Sequence, residues 1–236
     1  MERILSELVE RLKSALADQL VSVILYGSAA VGDWHKETSD LNVLCALSQI
    51  SPRELLQAEP VVVWWRAGGR PPLLLLTAEE VRTSTDCFAI EFHDMKKYRR
   101  VLHGADLIED LTVENTFYRA QVEHELRTKQ IRLRQRAAEV LAKPERLIKL
   151  LVDSVSTFCV LGRHALLLSG SEPRWKKAEV VAALEVALAR PLSAFNEILA
   201  VRESGKQPGG AAAASLLERY LVETDALVRF VDALAK

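Results

Sequence analysis

A change of periodicity near residue 110 restricts the fold more than any other feature of this chain. Before it, apolar runs are short, rich in β-branched residues and broken by Gly, Pro, Ser and Asp. After it, long Leu/Ala/Arg/Glu stretches recur at helical spacing. The fold class expected is α+β: a small mixed sheet domain, residues 1–110, with helices on one face, then an all-helical bundle domain, residues 111–236.

Within the first part, Ile4, Leu5, Leu8, Leu12 and Leu16 fall at three- and four-residue steps and predict an amphipathic opening helix. Residues 21–26 predict a buried strand that ends at Gly27-Ser28, and residues 40–47 a second one. Ser51-Pro52-Arg53-Glu54 combines an N-cap, a proline at the first helical position and a capping-box acid, so a helix should start there. Residues 61–65 and 73–76 read as further strands joined by the Gly/Pro-rich turn 68–72, a hairpin-like excursion. Thr77 with Glu80 repeats the capping box. Residues 87–95 alternate, with Phe88, Ile90 and Phe92 on one face and Ala89, Glu91 and His93 on the other, which predicts a half-covered strand. The second part predicts helices over 113–142, 145–169, 175–189, 192–203 and 212–234.

Charge and composition exclude several classes. Lys and Arg total 31 against 32 for Asp and Glu, so the net charge of −1 creates no field that gathers nucleic acid or membrane. A hydrophobic share of 49% with 27% charged residues rules out intrinsic disorder. Cys45, Cys87 and Cys159 are widely spaced with no Cys-x-x-Cys pair, which argues for a reducing compartment and against a disulfide framework or zinc site. No run approaches the ~18 apolar residues of a membrane span, and Met1-Glu2-Arg3-Ile4 does not open like a signal peptide. The expectation is a cytoplasmic protein with no membrane partner, with homo-oligomerisation left open.

The residues that carry chemistry lie in Leu25-Tyr26-Gly27-Ser28-Ala29-Ala30-Val31-Gly32-Asp33 and, beyond a spacer, Ser39-Asp40-Leu41-Asn42. A strand that delivers Gly-Ser into a turn exposes backbone amides and a hydroxyl, which can hold a phosphate. Alone, Gly27-Ser28 reads first as an ordinary turn; the spaced Ser39-Asp40-x-Asn42 lifts it above that. A period of two puts Asp40 and Asn42 on one strand face, and two oxygen ligands at that spacing suit a hard cation such as magnesium, which binds nucleotide phosphates.

This pattern resembles the polymerase-beta-like nucleotidyltransferase superfamily, whose signature is hydrophobic-Gly-Ser, a spacer, then Asp-x-Asp or Asp-x-Glu. A small catalytic domain ahead of a helical bundle is similar to the kanamycin-nucleotidyltransferase kind. The resemblance implies that Gly27 and Ser28 hold a nucleoside triphosphate, that Asp40 and Asn42 stand at the metal-binding positions for Mg2+, and that a third acid comes from a later strand. Glu91, ahead of Val101-Leu102-His103-Gly104, takes that place, with His93 and Asp94 as substitutes. One departure is plain. Asn42 stands where the pattern has a second carboxylate, so Asp40, Asn42 and Glu91 carry two negative charges rather than three.

Two functions follow. The first is transfer of a nucleoside monophosphate from Mg-NTP to an unknown acceptor, small molecule or protein, with activity weakened or lost through Asn42. The second is a non-catalytic nucleotide-sensing or partner-binding module, antitoxin-like. An antibiotic-modifying enzyme would need an acidic pocket for a cationic drug, and the basic run Arg127, Lys129, Arg132, Arg134 and Arg136 argues against it. That run has no interleaved aromatic residue, so it reads as a solvated helix face before a nucleic-acid surface. Arg119-x4-His124 resembles a pattern of helical nuclease-like domains, but ordinary charged helices produce it too.

Overall fold

The computed structural model describes residues 1–31, 41–172, 174–205 and 210–234. The chain divides into two compact units, Met1–Phe117 and Tyr118–Lys236.

The first unit is a mixed four-stranded sheet with helices on both faces, rather than on one. Its elements in chain order are α1 (Glu2–Leu16), β1 (Leu20–Tyr26), β2 (Asn42–Leu47), α2 (Pro52–Ala67), β3 (Leu74–Thr77), α3 (Ala78–Thr83), α4 (Ala89–Lys97) and β4 (Arg99–Gly104). The strand order is β3-β2-β1-β4. β1 runs antiparallel to β2 and to β4, and β2 runs parallel to β3.

Strand alternation divides the core in two. Val23, Leu25, Val43, Cys45 and Leu47 meet Leu5, Leu8, Leu12 and Leu16 of α1 and Ala58, Val61 and Trp65 of α2. Ile24, Leu44 and Ala46 point the other way, onto Val81 of α3 and Phe92 and Met95 of α4. Each fully buried aliphatic or aromatic side chain contributes about 1.5–3 kcal/mol over its exposed state, so both faces must be covered. A one-sided sheet would leave Ile24 and Leu44 in water.

Two expected strands are helical. Residues 61–65 lie inside α2, which the Ser51/Glu54 capping box starts: the Ser51 amide donates to Glu54 at 3.0 Å, and the Arg53 amide donates to the Ser51 hydroxyl at 3.2 Å. The valine and tryptophan run favours a strand locally, yet Ala58, Val61 and Trp65 at three- and four-residue steps form the buried face, and burial overrides propensity. The loop after α2 therefore leads into a parallel crossover, not a hairpin; the Trp65 indole N–H donates to the Pro71 carbonyl at 2.8 Å and pins it. Residues 87–95 likewise form α4 over most of their length. The core side chains are Ala89, Phe92 and Met95, a period of three, while Phe88 is 45% exposed. Alternation over so short a segment satisfied both periods.

The second unit holds five helices among the described residues: α5 (Tyr118–Val140), α6 (Pro144–Leu168), α7 (Lys177–Ala187), α8 (Ser193–Ser204) and α9 (Gly210–Ala233). α6 is long and apolar enough to cross a membrane, but here it packs against the other four and buries Leu151, Val155, Phe158 and Leu161. Glu223 of α9 is 3% exposed and caps α8, accepting from the Ala194 and Phe195 amides at 2.9 and 3.0 Å. It satisfies two of the amide donors that every helix start leaves open. Along α5, Arg119 is held by Glu123 at 2.8 Å and His124 is exposed. Arg127 pairs with Glu123 at 2.7 Å and Asp232 at 3.5 Å, and Lys129 with Glu125 at 3.3 Å.

Candidate functional site

β1 ends at Tyr26, and Gly27 turns the chain with φ +77°. An L-residue pays about 1–2 kcal/mol in that conformation and glycine pays none. The turn continues as one short 3₁₀ stretch, Ser28–Val31, whose first bond is the Ala30 amide to the Gly27 carbonyl at 3.0 Å. Gly27 and Ser28 thus stand at the end of a central strand.

Asn42 opens β2 directly opposite Tyr26 in the β1–β2 ladder. Its side chain lies against the turn: Nδ2 is 3.2 Å from where a Cβ on Gly27 would stand. The structure therefore places Asn42 beside Gly27. Asp40, with Ser39, lies outside the described residues.

Tyr26 and Asn42 share the sheet face that carries Ile24, Leu44 and Ala46, the face covered by α4. Glu91 and Asp94, three apart on α4, lie on one side of that helix. Burial first, then the charges of Glu91 and Asp94, raise the Tyr26 hydroxyl well above its ordinary range. Tyr26 accordingly keeps its proton, and its neighbourhood is where the α4 carboxylates exert their field. Glu91 thus belongs to the Tyr26 end of this face, from a helix and not from a strand. His93, the other substitute, is engaged elsewhere: its Nε2 is 2.8 Å from the Asn115 side-chain oxygen.

The two strands that follow β2 carry no carboxylate. β3 is Leu74-Leu75-Leu76-Thr77 and β4 is Arg99-Arg100-Val101-Leu102-His103-Gly104. Arg99, opposite Tyr26 on the other side of β1, is neutralised by Asp106 at 2.8 Å, and Asp106 sits below its ordinary range because of that guanidinium. Among the described residues no three His, Cys, Asp or Glu side chains converge as a metal cluster. Tyr26 is the candidate that the strand reading of residues 87–95 leaves out; the helix puts Glu91 and Asp94, alternatives in that reading, on one stripe.

A mixed sheet that ends its central strand in a Gly-Ser turn, followed by a helical unit, is an arrangement this chain shares with solved structures. One such solved structure is spectinomycin adenyltransferase AAD(9) from Enterococcus faecialis, determined with ATP and spectinomycin, which matches with a TM-score of 0.59 over 96% of this chain and 98% of that one. The two are 15% identical, so the likeness is one of fold. No family model and no curated protein matches the sequence.

Proposed function

We propose that this chain binds a nucleoside triphosphate at the Gly27-Ser28 turn and transfers a nucleoside monophosphate to an acceptor slowly or not at all. The observation that supports the reading is the nearness of Gly27 and Asn42: a neutral amide stands beside the Gly-Ser turn where an acid is expected. In this reading the turn amides and Ser28 hold the phosphates. Asp40, the Asn42 carbonyl oxygen and Glu91 are the oxygen donors that would hold magnesium, which when bound would neutralise triphosphate charge. Glu91 alternatively accepts the proton of the acceptor hydroxyl, and Asp94 stands beside it.

The sensing or partner-binding reading draws on a further observation, the lack of any carboxylate on β3 or β4. Nucleotidyl transfer, in which the acceptor oxygen bonds the α-phosphorus and pyrophosphate leaves, depends largely on positioning and on electrostatic stabilisation by metals, so each missing anion weakens catalysis more than binding. The fold neighbour's acceptor is spectinomycin, and that drug belongs in any acceptor panel.

Thermal stability measured with a panel of nucleotides, with and without magnesium, tests the proposal, because a ligand of the native state raises the melting temperature by mass action. The expected result is a small magnesium-dependent shift that Asp40→Ala removes and Asn42→Asp enlarges. Turnover that survives Asp40→Ala would place the chemistry elsewhere. No gain from Asn42→Asp would favour the non-catalytic reading.

A further inference from the structure

The second unit has a surface groove of about 570 Å³ that none of the preceding chemistry uses. Its floor is the outward face of α9, where Leu221, Val222 and Ala226 follow one another at helical spacing, and Val222 is 51% exposed. Its rim is basic: Arg134 from α5, Arg190 from the segment between α7 and α8, and Arg229 from α9. Asp225, the acid in the lining, is already paired with Arg229 at 2.7 Å. Arg134 and Arg190 make no ion pair among the described residues, although Arg127 and Lys129 on the same α5 are paired. The lining thus carries three positive charges and one negative, around an apolar strip.

Shape and charge together select the occupant. A small-molecule site encloses most of its ligand, whereas this groove leaves Val222 half in water. From Leu221 to Arg229 it follows α9 for about 12 Å at 1.5 Å per residue, or roughly two turns, which is the span over which a docked helix places its i, i+4 and i+7 anchors. The unmatched arginines call for carboxylates at the edges of that helix, where rim charges steer encounter and fix register.

We infer that the groove formed by Leu221, Val222 and Ala226 between Arg134, Arg190 and Arg229 docks an acidic amphipathic helix of a partner protein. The partner lays an apolar stripe along α9 and sets Glu or Asp side chains against Arg134 and Arg190. The lining comes wholly from the second unit, and the inference does not rest on nucleotide binding.

The test uses the full chain and two synthetic, fluorescently labelled 18-residue helical peptides with the same Leu stripe, one flanked by Glu and the other by Lys. Fluorescence anisotropy should show saturable binding of the Glu peptide, at least tenfold tighter than the Lys peptide and weakened by salt. Arg134→Glu with Arg190→Glu should weaken the Glu peptide at least tenfold and restore some affinity for the Lys peptide. Val222→Asp, a change at an exposed position, should weaken both peptides while the circular dichroism spectrum stays unchanged. Equal binding of the two peptides, no binding of either, or Glu-peptide binding that survives the double charge reversal would each overturn the proposal. So would single-stranded RNA that competes the Glu peptide off at lower concentration than unlabelled peptide, since the groove would then be a polyanion surface.

Discussion

The two faces of the sheet are made by the same alternation and end differently. On the α1/α2 face, every inward position from Val23 through Leu25 and from Val43 through Leu47 is apolar, and Trp65 closes the packing at 0% exposure. On the α3/α4 face the apolar positions Ile24, Leu44 and Ala46 give way, at the strand ends, to Tyr26 and Asn42 with Glu91 and Asp94 nearby. One face spends its whole area on cohesion. The other stops one residue pair short of the edge, and that pair is the candidate site. The proposed site would occupy the continuation of a core stripe, so the positions adjacent to it are constrained by packing as well as by that function.

The largest expected effect separates the faces. Trp65→Ala removes a fully buried indole and its hydrogen bond to Pro71, and should cost about 3–5 kcal/mol in a urea melt. Nucleotide affinity of the molecules that remain folded should not change, because Trp65 lies on the cohesive face. A parallel loss of affinity would show that the two faces are not specialised.

A smaller change strikes the other face. Gly27→Ala places a methyl group at φ +77° and 3.2 Å from the Asn42 amide, for about 1–2 kcal/mol of destabilisation. Its effect on nucleotide-induced thermal shift should be disproportionate, reducing the shift to the level of the blank. An alanine variant that binds as well as the wild type would remove the turn from the site.

The smallest effect is a pH dependence seated in the cohesive face. Burial pushes the Cys45 thiol up to about 12. Above about pH 8.5 the unfolded chain releases this proton while the folded chain keeps it, so stability is full below that pH and falls as pH rises toward 12. Denaturation midpoints at pH 8 and pH 10 should differ, and Cys45→Ala should flatten part of the difference. Cys159, also pushed up to about 12 by burial, supplies a second such contribution in the helical unit.

Much of this architecture is legible in the sequence where local and long-range demands agree. α1, β1 and β2, and the two capping boxes at Ser51 and Thr77, follow from spacing and end chemistry alone. Residues 61–65 and 87–95 do not, because β-branched and aromatic residues were set into helices by what they pack against, and a nine-residue window admits two periods. The same error obscures how the candidate residues come together. Gly27 and Asn42 can be paired from two strand motifs, but the nearness of Glu91 and Asp94 to Tyr26 requires that α4 be a helix lying over the sheet, which no residue spacing within α4 declares.

The strand order also sets a timetable. β1, at the centre of the sheet, pairs on one side with β2, a short distance along the chain, and on the other with β4, where Ser22 meets Gly104. Closing that second ladder joins segments far apart in sequence, and such loop closure is slow. Until Gly104 has left the ribosome, β1 presents an unpaired edge of Val, Ile and Leu, the kind of edge that templates aggregation. A nascent chain of this protein is therefore most exposed to misassembly between the synthesis of β2 and the arrival of β4. The Ser22 hydroxyl, which bonds the Ala105 carbonyl at 2.6 Å, is among the contacts that end that interval.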